Sequence, residues 1–303
     1  MVYSLPSNSS EMECSLDLSS DRALCMSVYS IVFALGVPLN CVAFWGLGQL
    51  IRSAHFLPIY LLNLTVADLL FLSTMPLWVL YYKHDHRWEL GEAACNFSGI
   101  LFYANMYASI YFMCCIAVDR YLAIVHPLRF HGVRTIKAAV WVSLVGWTGI
   151  ILCQIPSLFS QLQEKSSQFC YEWFLLTKND AIMICVAIFG GFLGPAFVLG
   201  YCYVAAIRTI NHASMEHSET KWLNFLLVAG LLTFLCFFGP YSLMSLYKAL
   251  STLIHGPSCN FETSTFMYYK VSMVLMSLNA VLDPILYILV CEEARKRIKE
   301  SCF

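Results

Sequence analysis

Charge is what this chain lacks. Of its 303 residues only 12% are Asp, Glu, Lys or Arg, while 59% are hydrophobic; a soluble domain carries about 25% charged residues. Mean hydropathy is +0.67. So much apolar surface cannot be hidden in one aqueous core of this size, which makes lipid the solvent for much of the chain. A bias of sign is missing too: 18 basic residues face 19 acidic ones, net −1, so there is no electrostatic footing for nucleic acid. There is no Gly-rich phosphate loop, no Ser-His-Asp set and no His-Glu-x-x-His pair. Neither an enzyme nor a metal centre of that kind is expected. A cleavable leader is not visible either, because the first 24 residues are polar and the run that follows is too long.

What is present is seven long apolar stretches, at 25–51, 57–82, 95–118, 136–159, 181–207, 222–247 and 265–291. Each meets the ~20 residues a helix needs to cross the hydrocarbon. Backbone groups in lipid must be paired within their own segment, so each stretch is predicted to be helical. The expected fold is an all-α membrane protein: a polar tail over 1–24, a seven-helix bundle over 25–291, and a cytoplasmic end at 292–303. In that end EEARKRIKES can lie on the membrane as a short amphipathic eighth helix. Eleven Lys and Arg residues fall on the C-terminal side of the bundle and seven on the other. The positive-inside rule then sets the N-terminus outside a cell membrane and the C-terminus in the cytoplasm. Asn8-Ser9-Ser10 is a glycosylation sequon on the outer tail. Asn63-Leu64-Thr65 lies inside a stretch and reads as a chance match. Cys302, beside the basic end, is a palmitoylation candidate.

Ionisable residues inside a span are costly and point to function. Asp68 lies in LLNLTVADLLFL and Asp283 in LNAVLDPILY. Asn40 on the first stretch, Asn105 and Ser109 on the third, and Asn279 beside Asp283 on the seventh sit at comparable depth. Together these oxygens suit a sodium ion or a shared proton. Prolines 38, 76, 156, 195, 240 and 284 fall in six of the seven stretches. Each removes a backbone hydrogen bond and can act as a bend. The pair Asp119-Arg120 closes the third stretch, where charge at the membrane boundary costs less than at its centre. A small transporter using Asp68 and Asp283 is a remote alternative, since no internal repeat is visible.

GVPLNC, LNLTVADLL, VDRYLAIVHP, a lone Trp147, Pro195 with Tyr203, FLCFFGPY and LNAVLDPILY follow one another in order. Over nearly the whole chain they resemble a rhodopsin-like (class A) G-protein-coupled receptor. The resemblance implies a heterotrimeric G protein as partner. It implies that Asp119 holds Arg120 in the resting state, beside Tyr121, and that Tyr203, Phe234, Phe238, Pro240, Asp283, Pro284 and Tyr287 serve activation. It also implies a Cys95–Cys170 disulfide, and a second from Cys14 to Cys259 with Cys25 as the competing partner.

PLWVLYYKHDHRW and CNFETSTFMYY resemble the proton-sensing and lysolipid-linked branch of that family, with the purine-nucleotide receptors nearby. His84, His86 and His255 are the outer histidines and the pH-sensing candidates, though His84 and His86 read more readily as solvated loop residues. Lys270 stands where that branch's pH sensors carry histidine, and Ile150 where they carry glutamate. Lysine keeps its charge near neutral pH. The alternative is a basic rim of Lys83, Lys248 and Lys270 above aromatic walls from Tyr103, Tyr107, Tyr241 and Tyr269. Such a site suits an anionic amphiphile such as a lysophospholipid, head at the rim and chain within. A proton or a nucleotide is the alternative ligand, and a nucleotide would want more arginine.

Overall fold

A computed structural model describes residues 3–4, 13–14, 19–51, 57–130, 132, 134–163, 169–172, 176–212 and 217–290. Asn8, Cys302 and the amphipathic end lie outside the described residues, as do the side chains of Cys14 and Tyr287. The helices are α1 (Ser19–Ile51), α2 (Leu57–Lys83), α3 (Glu92–Val125), α4 (Ile136–Gln163), α5 (Lys178–Ile188), α6 (Gly194–His212), α7 (His217–His255), α8 (Cys259–Ser277) and α9 (Asn279–Val290). They form seven candidate membrane spans, α5 with α6 making the fifth and α8 with α9 the seventh. Two short strands, β1 (Tyr3–Ser4) and β2 (Glu13–Cys14), pair antiparallel.

Several helices run past the apolar stretches that announce them. The first starts at Ser19 rather than 25, α7 continues to His255 rather than 247, and α8 starts at Cys259 rather than 265. Apolar residues mark the hydrocarbon layer, but the hydrogen-bond ladder continues wherever residues can still pair. At α5 the start is fixed by a capping box: Thr177 Oγ1 accepts from Asp180 N at 3.2 Å, and Thr177 N donates to Asp180 Oδ2 at 3.0 Å. The overrun matters because Asp21, Lys248 and Glu262 ride on these extra turns.

Two spans are broken. Residues Phe189–Leu193 form a single π-helical turn, in which Gly194 N–H reaches back five residues to Phe189 O. Pro195 follows, and its missing N–H cannot continue an α ladder. The turn delivers Phe192 into the core, where it stacks on Phe234 at 5.2 Å between ring centroids. In the seventh span Leu278 N donates to Leu275 O at 3.1 Å, a tight turn that separates α8 from α9 just before Asn279.

The interior of the bundle is aromatic. Trp78 packs edge-on to Phe102 and Phe71 to Phe102, and Phe234 leans on Phe238. Asn63, on α2, accepts a hydrogen bond from Trp147 Nε1 of α4 at 2.8 Å and donates to Ser143 Oγ at 3.3 Å. Its side chain ties two spans together, in keeping with the chance-match reading of its sequon. The neighbours differ on the two sides of α4. Among the described residues it packs on α3 and α2 but barely touches α5, which packs instead on α7.

Candidate functional site

At one end of the bundle Asp119 is buried and shared by two arginines. Arg120 Nη2 donates to its Oδ2 at 3.1 Å, and Arg134 Nε donates to its Oδ1 at 3.0 Å. The Arg120 Nε is buried with no hydrogen-bond partner. Tyr121 lies beside them, its hydroxyl 3.2 Å from His126 Nε2. Tyr203 is buried on α6 and meets α7 where Gly230 stands: a Cβ there would lie 3.0 Å from the Tyr203 hydroxyl. Phe234 and Phe238 are fully buried, and Pro240 lies inside α7. Asp119 and Arg120 are therefore in contact, with Arg134 as a third member that the motif did not announce.

The two mid-span acids lie on α2 and α9 and are both fully buried. Asn105 donates to Asp68 Oδ1 at 2.8 Å and Asn279 to Asp283 Oδ2 at 2.6 Å. Asn40 donates instead to the carbonyl of Ala280 at 2.7 Å, a tie between α1 and α9. Asp68 Oδ2, Ser109 Oγ and Asn279 Oδ1 are buried without hydrogen-bond partners. Pro284 is buried next to Asp283. Among the described residues there is no group of three His, Cys, Asp or Glu side chains that could hold a metal.

The other end is closed by the Cys95–Cys170 disulfide, which joins α3 to the segment before α5. Cys259 is also disulfide-bonded, and Cys25 is a free buried thiol, which removes Cys25 as its partner. Tyr171 lies flat against Gly99 of α3. A Cβ at Gly99 would stand 2.3 Å from the ring, so only glycine admits this approach. With Tyr171 pinned, the next residue is aimed into the bundle. That residue is Glu172.

Glu172 completes a ring of alternating charge with Asp21, His86 and Lys270. His86 Nδ1 lies 3.2 Å from Glu172 Oε2, and His86 Nε2 lies 3.2 Å from Asp21 Oδ1. Lys270 Nζ pairs with Glu172, stands 3.6 Å from Asp21 Oδ2, and donates to the Tyr82 hydroxyl at 3.2 Å. The Asp21 contact with His86 has ion-pair distance without hydrogen-bond alignment. All four groups are buried or nearly so. Burial works against the charged imidazole, but Asp21 and Glu172 outweigh it and push His86 up to about 9. Burial likewise works against the Glu172 carboxylate, but Lys270 and His86 outweigh it and hold it down at about 2. Left-handed backbone at Asp85 and His86, φ 52° and 60°, turns the histidine inward.

This corrects two expectations. His86 is not a solvated loop residue, because its imidazole is enclosed by α1, the Glu172 segment and two tyrosine rings. Nor do the three lysines form a free basic rim. Lys270 is spent inside the ring. Lys248 is buried against Glu262 at 2.8 Å, over the Tyr269 ring at 4.7 Å. Only Lys83 is exposed. Counting cations overlooked the acids, and the acids sit on turns outside the apolar stretches. His84 is exposed, 3.1 Å from Glu89, and His255 is exposed at the end of α7.

Below this closed end lies a cavity of about 720 Å³. The structure brings five of the seven ligand-site residues to it: Tyr103, Tyr107, Tyr241, Tyr269 and Lys248. Lys270 faces a second cavity of only about 30 Å³, and Lys83 lines neither. Between the tyrosines the large cavity is walled by Met106, Ile110, Ile184, Ile188 and Phe192. Gln154 and Ser245, which no motif or spacing singles out, also line it.

Seven spans, an Asp119–Arg120 pair at one end and a disulfide-closed cavity at the other define a membrane receptor. Residues 39–287 match the family described as 7 transmembrane receptor (rhodopsin family), and the chain belongs to that family of G-protein-coupled receptors. It is 33% identical to human G-protein coupled receptor 68, over 98% of this chain and 82% of the relative. Human G-protein coupled receptor 65 is 33% identical over 91% and 85%, and mouse Probable G-protein coupled receptor 132 is 31% identical over 94% and 75%.

Proposed function

We propose that this receptor answers to a single-chain anionic lipid, of which a lysophospholipid is the model, and activates a heterotrimeric G protein. Its disulfide-closed end then faces outside at the plasma membrane and its Asp119 end the cytoplasm, with Cys14 the partner of Cys259. The observation that carries the ligand reading is the cavity of about 720 Å³, apolar and tyrosine-lined, with one cation, Lys248, at its edge. Lys248 is on α7 and its partner Glu262 on α8, so the pair clips two helices together. An anionic head that takes the place of Glu262 on Lys248 releases α7. A ligand shifts the resting equilibrium only by such differential contact. At the far end α7 carries Gly230 against Tyr203 of α6, the helix that packs on α3, so its movement reaches the span that ends in Asp119-Arg120. The orphaned oxygens of Asp68, Ser109 and Asn279 fit a small hard cation that would steady the resting bundle.

A proton ligand is less well supported, because His86 titrates at about 9 and stays charged around neutral pH. A nucleotide is less well supported too, since Lys248 is the one Lys or Arg lining the large cavity among the described residues. The test is G-protein nucleotide exchange with the full chain in nanodiscs, titrated with oleoyl lysophosphatidic acid. Lys248→Ala should lose the response, and Glu262→Gln should shift it to lower concentration. A response that survives Lys248→Ala unchanged removes this reading.

A further inference from the structure

The large cavity is open on its flank. Ile182, Met183 and Val186 line it, yet they are 52%, 46% and 67% exposed. They belong to α5, the helix that leans on α7 and, among the described residues, leaves α4 almost untouched. The π-helical turn widens this side. It places Gly190 at the cavity wall, where a Cβ would meet nothing within 4 Å. The gap between α4 and α5 lies within two spans, so what it faces is hydrocarbon rather than water.

Inside, two polar groups have nothing to bind. Gln154 of α4 and Ser245 of α7 line the cavity and are 5% and 7% exposed. Gln154 Nε2 and Ser245 Oγ have no hydrogen-bond partner. Buried donors are satisfied in nearly all proteins, and a specific exception points to an absent partner. Ser245 stands three residues before Lys248, on the same face of α7 and about 5 Å deeper along the axis. A ligand whose head reaches Lys248 therefore carries its next few atoms past Ser245.

We propose that the cavity is filled sideways, by a single-chain anionic lipid that leaves the outer leaflet between α4 and α5. Gln154 and Ser245 then donate to a hydrogen-bond acceptor about one helical turn below its head, such as an ester carbonyl. This rests on the amphiphile reading above and adds a route and a second recognition element to it. A nucleotide could not take the route, because its charges would have to cross hydrocarbon.

The test uses the full chain in nanodiscs and two probes with the same 18-carbon chain. Oleoyl lysophosphatidic acid carries the ester; oleyl phosphate has the same charge and no acceptor below it. Gln154→Leu and Ser245→Ala should each weaken binding of the ester probe by about fivefold or more and leave the alkyl phosphate within about twofold. Gly190→Trp, which fills the gap, should slow association and dissociation of both probes by about tenfold with little change in affinity, as a gate does. Equal losses for the two probes, or none, overturn the recognition pair. Unchanged rates in Gly190→Trp overturn the sideways route. If the wild-type receptor binds neither probe, the amphiphile reading and this inference fall together. If it binds both and loses both in Lys248→Ala, the amphiphile reading stands and the variants above decide the inference alone. Should Gln154→Leu fail to fold, Ser245→Ala on a different helix carries the same comparison.

Discussion

The two ends of the bundle handle buried charge in opposite ways. At the disulfide end two acids and two bases alternate around a closed ring, and Asp21, His86, Glu172 and Lys270 are all 8% exposed or less at the side chain. At the other end one acid serves two arginines that are themselves 32% and 19% exposed, and one guanidinium nitrogen goes unpaired. The ring joins α1, the α2–α3 loop, the Glu172 segment and α8, with no charge left over. The triad sets two cations on one acid, partly open to water. A neutral, enclosed set of ions resists rearrangement because removing any member strands another. A surplus charge near solvent can change partners cheaply. By that difference one end is built to resist rearrangement and the other to permit it.

The largest effect should come from breaking the ring. Glu172→Gln leaves Lys270 and His86 buried with one acid between them, and splitting a buried pair costs about 3–5 kcal/mol. A large fall in melting temperature is expected, and Glu172→Gln combined with Lys270→Met should recover much of it. If Glu172→Gln melts like the wild type, the ring is no latch. At the opposite end the effects should appear in signalling rather than stability. Asp119→Asn should raise basal nucleotide exchange by about two- to fivefold by freeing Arg120. Arg134→Ala should lower it, because Asp119 is then left to Arg120 alone. Identical basal rates in both variants would erase the contrast.

The smallest effect is on pH. His86 is raised from its ordinary 6.5 to about 9, so its stabilisation is complete below 6.5 and is lost as pH rises through about 9. Glu172 is lowered from 4.5 to about 2, so its contribution is complete above 4.5 and is lost only as pH falls through about 2. Melting temperature should therefore be highest between these limits and decline on the alkaline side. His86→Gln should flatten that decline. A melting curve that rises with pH above neutral would contradict the ring's charge assignment.

Much of this architecture is legible in the residues. Seven spans follow from run length and scarce charge. The sites at Asp68, Asp119 and Asp283 follow from ionisable groups inside or closing those runs. The disulfide end is harder to read, and the reason is distance along the chain. Glu172 lies 86 residues from His86 and 98 from Lys270, so no local pattern pairs them. Asp21 sits in a polar segment that hydropathy passes over, and Glu172 in a short aromatic run, FCYEWFLL, between two spans. His86 follows Lys83, His84 and Asp85 just past a helix end, which suggests water; only the left-handed turn at Asp85 reverses that. Lys248 misled in the same way, because its partner Glu262 comes from the turn of α8 that precedes the apolar stretch. Gln154 and Ser245 carry no signal at all until the cavity is seen.

Cys170 stands two residues before Glu172, and its bond to Cys95 is what keeps that short segment seated. The crosslink is thus the tether of a counter-ion as well as of a loop. A reductant that opens it unmoors the anion facing two enclosed cations, and their mutual repulsion then works to pry apart the very end of the molecule that the bond had sealed.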